Sequence, residues 1–159
     1  MRRLLPTLTL LAACAPPPAP VAAPPPAPPP APPSAPASPP SPSGLRAVVH
    51  LSDPSRATDA RGLRNVLNAL DALGDEPAHF VIVVHGQALA WFRRAEPDNL
   101  AEPLAALLAT GKVELRVCAR TLAENHWRLS DILPGASVVP SGTLEVIRLQ
   151  REGFAYFKP

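Results

Sequence analysis

Residues 45–159 read as an α/β domain, a three-layer α/β/α sandwich around a mostly parallel five-stranded sheet. Three observations predict it. Short β-branched runs alternate with helical periodicity along the whole segment. Residues 80–84 are apolar at every position, as in a strand buried on both faces of a parallel sheet. Glycines follow the helical stretches where a helix needs a C-terminal stop.

Taken in order, residues 46–51 form the first strand. A helix over 59–73 places Leu63, Val66, Leu67, Leu70 and Leu73 on one apolar face, and Gly74 ends it. Residues 80–84 are the second strand, and a short helix covers 88–93. Asn99 with Glu102 makes a capping box for a helix carrying Leu100, Leu104, Leu107 and Leu108, stopped by Gly111. The third strand is 113–117, with Cys118 directly after it. Thr121 with Glu124 makes a second capping box, opening a short helix past Cys118. Ser130 caps a turn that runs to Leu133. The fourth strand is 137–139, a helix spans 143–152 up to Gly153, and 154–157 is the fifth strand.

The first 44 residues have a different composition. Met1-Arg2-Arg3 is a positive n-region, and residues 4–11 are an apolar run far too short to span a bilayer. Leu11-Ala12-Ala13-Cys14 resembles a lipobox, in which small residues let a peptidase approach the backbone and the cysteine is acylated. Residues 1–13 are therefore expected to be a lipoprotein signal peptide and Cys14 the lipidated residue. Sixteen of the 24 prolines lie between Ala15 and Gly44, with no charged or aromatic residue among them. Such a segment buries too little apolar surface to offset its ordering entropy. Residues 14–44 are thus expected to be a disordered tether. Its polyproline II bias, about 3.1 Å per residue, could hold the domain up to about 90 Å from a membrane. Ala15 supplies no inner-membrane retention aspartate, so a periplasm-facing envelope site, with the outer membrane preferred, is expected.

All 13 acidic residues lie after Gly44, along with 13 of the 15 basic ones. The domain is formally neutral, so nothing in its charge points to nucleic acid.

Ligands of open α/β sheets collect beyond the carboxyl ends of the strands. His50 lies late in the first strand, His85 directly follows the second, and Cys118 follows the third. Adjacent parallel strands, about 4.8 Å apart, would bring these side chains together. With Cys14 lipidated, Cys118 is the domain's one cysteine and forms no intradomain disulfide. An unpaired thiol in an oxidising compartment calls for a reason. The helix opening near Thr121 aims its amides at the sulfur, and Arg120 adds positive charge, both favouring thiolate. Cys118-Ala119-Arg120-Thr121 has the form of a redox CxxC with Thr as its last residue, so the resolving thiol is missing. One sulfur can still accept and donate sulfane sulfur as a persulfide. The competing reading is a buried cysteine that only packs. Gly86 after His85 supplies a left-handed φ or a close backbone approach, and His85 is a base, a metal ligand or a backbone-bonded loop residue. No histidine pair has compact ligand spacing, so neither a metal nor another cofactor is expected. No phosphate loop, nucleophile elbow or carboxylate pair is present in the sequence.

Val84-His85-Gly86, Gly111-Lys112-Val113, Cys118-Ala119-Arg120-Thr121, Val138 to Gly142 and the ending from Arg148 to Pro159 together resemble the DsrE/DsrF/YchN-like proteins. The resemblance covers the domain and implies a parallel five-stranded α/β/α sandwich, often assembled as trimers or hexamers. Some relatives carry persulfide on a cysteine in sulfur relay, a role that passes to Cys118 alone. The leading expectation is a membrane-tethered protein handling sulfane sulfur through Cys118. The following amides, with Arg120 and Thr121, stabilise the anion, and His85 assists proton transfer. The sulfur donor or acceptor protein is open. The alternative is a non-catalytic oligomeric binding or assembly module with a structural cysteine. A third reading is metal binding by His50, His85 and Cys118.

Overall fold

The computed structural model describes residues 44–159. The expected signal peptide, the lipidation of Cys14 and all of the tether but Gly44 lie outside the described residues. The elements run β1 (Leu45–Leu51), α1 (Arg56–Leu73), β2 (Ala78–Val84), a 3-10 segment (Gly86–Phe92), α2 (Ala101–Ala109), β3 (Val113–Cys118), α3 (Ala119–Glu124), a 3-10 turn (Leu129–Asp131), β4 (Ala136–Val139), α4 (Gly142–Arg151) and β5 (Ala155–Phe157).

The sheet order is β4-β3-β2-β1-β5, and every pairing is parallel. From β1 to β4 the chain steps outward in one direction. It then returns across the sheet to seat β5 beside β1. Because parallel crossovers are right-handed, this reversal sends α4 to the face opposite α1 and α2. Two cores result. Val49, Leu51, Ile82, Val84, Leu115 and Val117 pack with Leu63 and Val66 of α1, with Leu104 of α2 and with Leu89 and Phe92 of the 3-10 segment. Val48, Val81 and Val83 pack with Val146, Leu149 and Phe154 on the α4 side. Strand β2 feeds both cores, which is why residues 80–84 carry no polar interruption.

Local hydrogen bonding moves several boundaries. Helix α1 starts at Arg56, earlier than the expected 59, because Ser55 caps it: its Oγ accepts the Thr58 N–H at 3.3 Å. Asp53 Oδ1 in turn accepts the Ser55 N–H at 2.8 Å. The capping box expected at Asn99 is replaced by an Asx turn, in which Asn99 Oδ1 accepts the Ala101 N–H at 3.1 Å. The box expected at Thr121 is absent because α3 opens at Ala119, which leaves Thr121 buried inside its first turn. Cys118 is the last residue of β3 and the N-cap position of α3. Ser130 lies within its turn, where Arg128 N–H donates to Asp131 Oδ2 at 2.8 Å. Among the described residues no helix is long and apolar enough to cross a membrane.

Candidate functional site

Strand register assembles the site. β1, β2 and β3 are adjacent, with His50 opposite Val83 and Val84 opposite Val117. One more step along the β2–β3 ladder sets His85 beside Cys118. Side chains alternate between faces with period two. Val48, Val81 and Val83 lie on the α4 face, so His50, His85 and Cys118 share it. Tyr156 of β5 pairs with Val48 and joins the same face. Four chemically useful side chains, from four consecutive strands, thus sit along one C-terminal sheet edge beneath the start of α4.

Cys118 is buried, with 5% of its surface exposed. Burial pushes its thiol up. The backbone amide of Gly142, the amide and hydroxyl of Thr121 and the amide of Arg120 oppose this, and the net shift is downward from the ordinary value. No tight cap hydrogen bond closes on the sulfur, so its environment is a field of nearby N–H groups. They come from the first turns of two helices, α3 and the ten-residue α4. The Arg120 side chain is exposed; contrary to expectation, it is the backbone N–H of this residue, rather than its guanidinium, that faces the sulfur. Thr121 Oγ1 also accepts the Gly86 N–H at 3.0 Å, with Gly86 at φ 59°. This bond ties the His85-Gly86 loop to the cysteine turn.

The histidines form a line. His50 Nε2 and His85 Nε2 are 2.6 Å apart, and His50 Nδ1 lies 2.8 Å from Tyr156 Oη. The histidine ring centroids are 4.8 Å apart with planes inclined by 25°. That separation exceeds the N···N distance by about a ring's width, so the rings meet nitrogen to nitrogen rather than overlapping. Burial, His85 and Lys158 pull His50 down to about 4. Burial and Lys158 also lower His85. Both imidazoles are therefore neutral near pH 7 and share one N–H···N proton. An ion between these nitrogens would need about 2.0 Å to each, so the rings would have to part to admit one. Among the described residues no three His, Cys, Asp or Glu side chains converge as a metal-ligating group.

Gly142 joins the two halves. A Cβ built there would lie 2.8 Å from both Cβ and Cδ2 of His85. Only glycine lets α4 start against the imidazole while its N–H faces the sulfur.

The sequence reading named His50, His85, Gly86, Cys118, Arg120 and Thr121; the fold gathers the side chains or backbone of all but Arg120, which contributes its amide alone while its side chain is exposed. It did not assign Gly142, Tyr156 or Lys158 to the site. The alternation of β5 carried a signal for Tyr156, and Ser141, whose Oγ accepts the Leu144 N–H, marked the start of α4. Lys158 had no local signal. The other histidines lie elsewhere: His79 pairs with Glu114 at 2.8 Å, and His126 is exposed at φ 57°.

Residues 47–159 match the model of the DsrE/DsrF-like family. The structure of MTH1491, a protein of unknown function from Methanobacterium thermoautotrophicum, is similar at 25% identity and a TM-score of 0.65. That match covers 72% of this chain and 99% of the other. No curated protein matches the chain.

Proposed function

The chain belongs to the DsrE/DsrF-like family, and on that premise we propose that it handles sulfane sulfur through a persulfide on Cys118. The observation that carries this reading is the thiol itself: its pKa is lowered despite burial, because two helix starts direct amides at one sulfur. The Cys118 thiolate attacks the terminal sulfur of a hydropersulfide. A Cys118–S–S bond forms, the donor's S–S bond breaks, and the departing thiolate takes up a proton. The reverse sequence passes the sulfur to an acceptor. A single cysteine suffices, and the 5% exposure of Cys118 favours attack on a thin terminal sulfur over a bulky group.

In this reading Cys14 is lipidated, and residues 14–44 hold the domain away from an envelope membrane. Exposed Leu144 and Ile147, one turn apart on α4, provide an apolar face for assembly into a homo-oligomer.

Intact-mass measurement after incubation with a hydropersulfide tests the chemistry. The wild type is expected to gain one sulfur atom's mass, and Cys118→Ser none. No gain in the wild type, or an equal gain in the variant, removes the reading.

The burial of Cys118 favours one competing reading, a binding or assembly module in which the cysteine only packs. A native-state thiol label that reaches Cys118 only after denaturation would support the module.

A further inference from the structure

The line Tyr156–His50–His85 has two self-consistent hydrogen-bond patterns. In one, Tyr156 O–H donates to His50 Nδ1, His50 Nε2–H donates to His85 Nε2, and His85 Nδ1 carries a proton. In the other every bond is reversed, and His85 Nδ1 is a bare acceptor. The distances of 2.8 Å and 2.6 Å allow both. Tyr156 stands at the surface end, 45% exposed. At the other end, His85 Nδ1 has no hydrogen-bond partner among the described residues and is not sealed from solvent. The strand register places that residue beside Cys118, and Gly142 packs against its ring.

We propose that Tyr156, His50 and His85 form a proton wire from the protein surface to His85 Nδ1, which serves as the acid–base group for sulfur transfer at Cys118. The proposal rests on the persulfide reading and adds a route for the proton. When a hydropersulfide donor loses its terminal sulfur to Cys118, the S–S bond electrons leave with an alkyl thiolate. His85 Nδ1–H protonates that thiolate. The His50 Nε2 proton moves to His85 Nε2, the Tyr156 proton moves to His50 Nδ1, and solvent reprotonates the phenolate. No redox partner is needed, since the sulfane sulfur only changes its bonding partner. The charged and titratable groups acting on the wire are Lys158 on both imidazoles and His85 on His50. Burial and Lys158 keep the pair neutral, and only a neutral pair can pass a proton by reversing its bonds. His50 and Tyr156 are positioning residues acting through His85.

Two measurements test this on the intact domain. The first reads the imidazole 15N resonances of unreacted wild type and Tyr156→Phe at neutral pH. Loss of the phenol is expected to shift His85 as well as His50, since the bonds reverse together. A change confined to His50 overturns the wire. The second compares an alkyl hydropersulfide donor with an aryl one, whose thiolate leaves without a proton. Tyr156→Phe and His50→Gln are expected to slow the alkyl donor roughly tenfold or more and to leave the aryl donor unchanged. Equal slowing of both donors indicates a merely structural role and overturns the proposal. If wild type accepts sulfur from neither donor, the persulfide reading fails and takes the catalytic assignment with it. The 15N spectra still decide whether the wire exists.

Discussion

Gly142 lies so close to His85 that a methyl group there would be 2.8 Å from two atoms of the imidazole side chain. Gly142→Ala must therefore displace either the ring or the first turn of α4. Overpacking of this kind costs about 1–3 kcal/mol. Moving α4 also withdraws an N–H from the sulfur. The variant is expected to show a lower melting temperature and a higher Cys118 pKa, read from the pH dependence of thiol alkylation.

Thr121→Val keeps the shape of the side chain but removes the hydroxyl that faces Cys118 and accepts the Gly86 N–H. Loss of a hydrogen bond of about 1 kcal/mol weakens the stabilisation of the thiolate. The thiol pKa is expected to rise, with slower alkylation at neutral pH. An unchanged alkylation profile would show that the hydroxyl does not stabilise the thiolate.

Arg120→Ala separates side-chain charge from backbone dipole. The Arg120 group acting on Cys118 is its amide, which alanine retains. Alkylation rates at low ionic strength are expected to match those of the wild type. A large drop would restore the guanidinium as the stabilising charge.

Asp59, in the first turn of α1, is fully buried, and neither carboxylate oxygen has a partner among the described residues. Burial, reinforced by Asp53, raises it from 3.8 to about 7. A folded pKa above the unfolded one means that the folded state holds its proton longer. Stability is then full below about pH 4 and falls as pH rises through about 7. Asp59→Asn is expected to remove that slope. It should stabilise the domain by a few kcal/mol near pH 8 and leave it little changed near pH 4, as measured by denaturant unfolding at the two pH values.

Lys158→Gln removes a positive charge that lowers both site histidines. Their pKa values are expected to move up toward 6.5, visible in an NMR titration. A depressed folded pKa means that stability is retained above about 6.5 and lost as pH falls toward 4. The variant should therefore lose less stability over that interval than the wild type.

The legible parts of the molecule were those in which a local pattern has a global consequence. The unbroken apolar run through Val81, Ile82 and Val83 announced a strand covered on both faces, and β2 is one. Three strand ends carry His50, His85 and Cys118, and parallel register sets their side chains on one face of the sheet. The sequence reading missed what depends on long-range return. Tyr156 meets His50 only because β5 crosses back to pair with β1. Gly142 matters only because α4 starts over His85. Capping was the least legible feature, since Asn99 and Thr121 offer oxygens that several nearby amides can use. Ala101 claimed the first. The second turned to Gly86 on another loop.

The seating of β5 against β1 has a consequence for how the site comes into being. Tyr156 arrives with the final strand, yet its partner His50 belongs to the first. Any intermediate lacking β5 leaves β1 as an open edge with unpaired amides and leaves His50 Nδ1 without its phenol. The Tyr156–His50–His85 line therefore cannot mature ahead of the sheet: the pairing of the last strand with the first and the completion of this hydrogen-bonded line are one event.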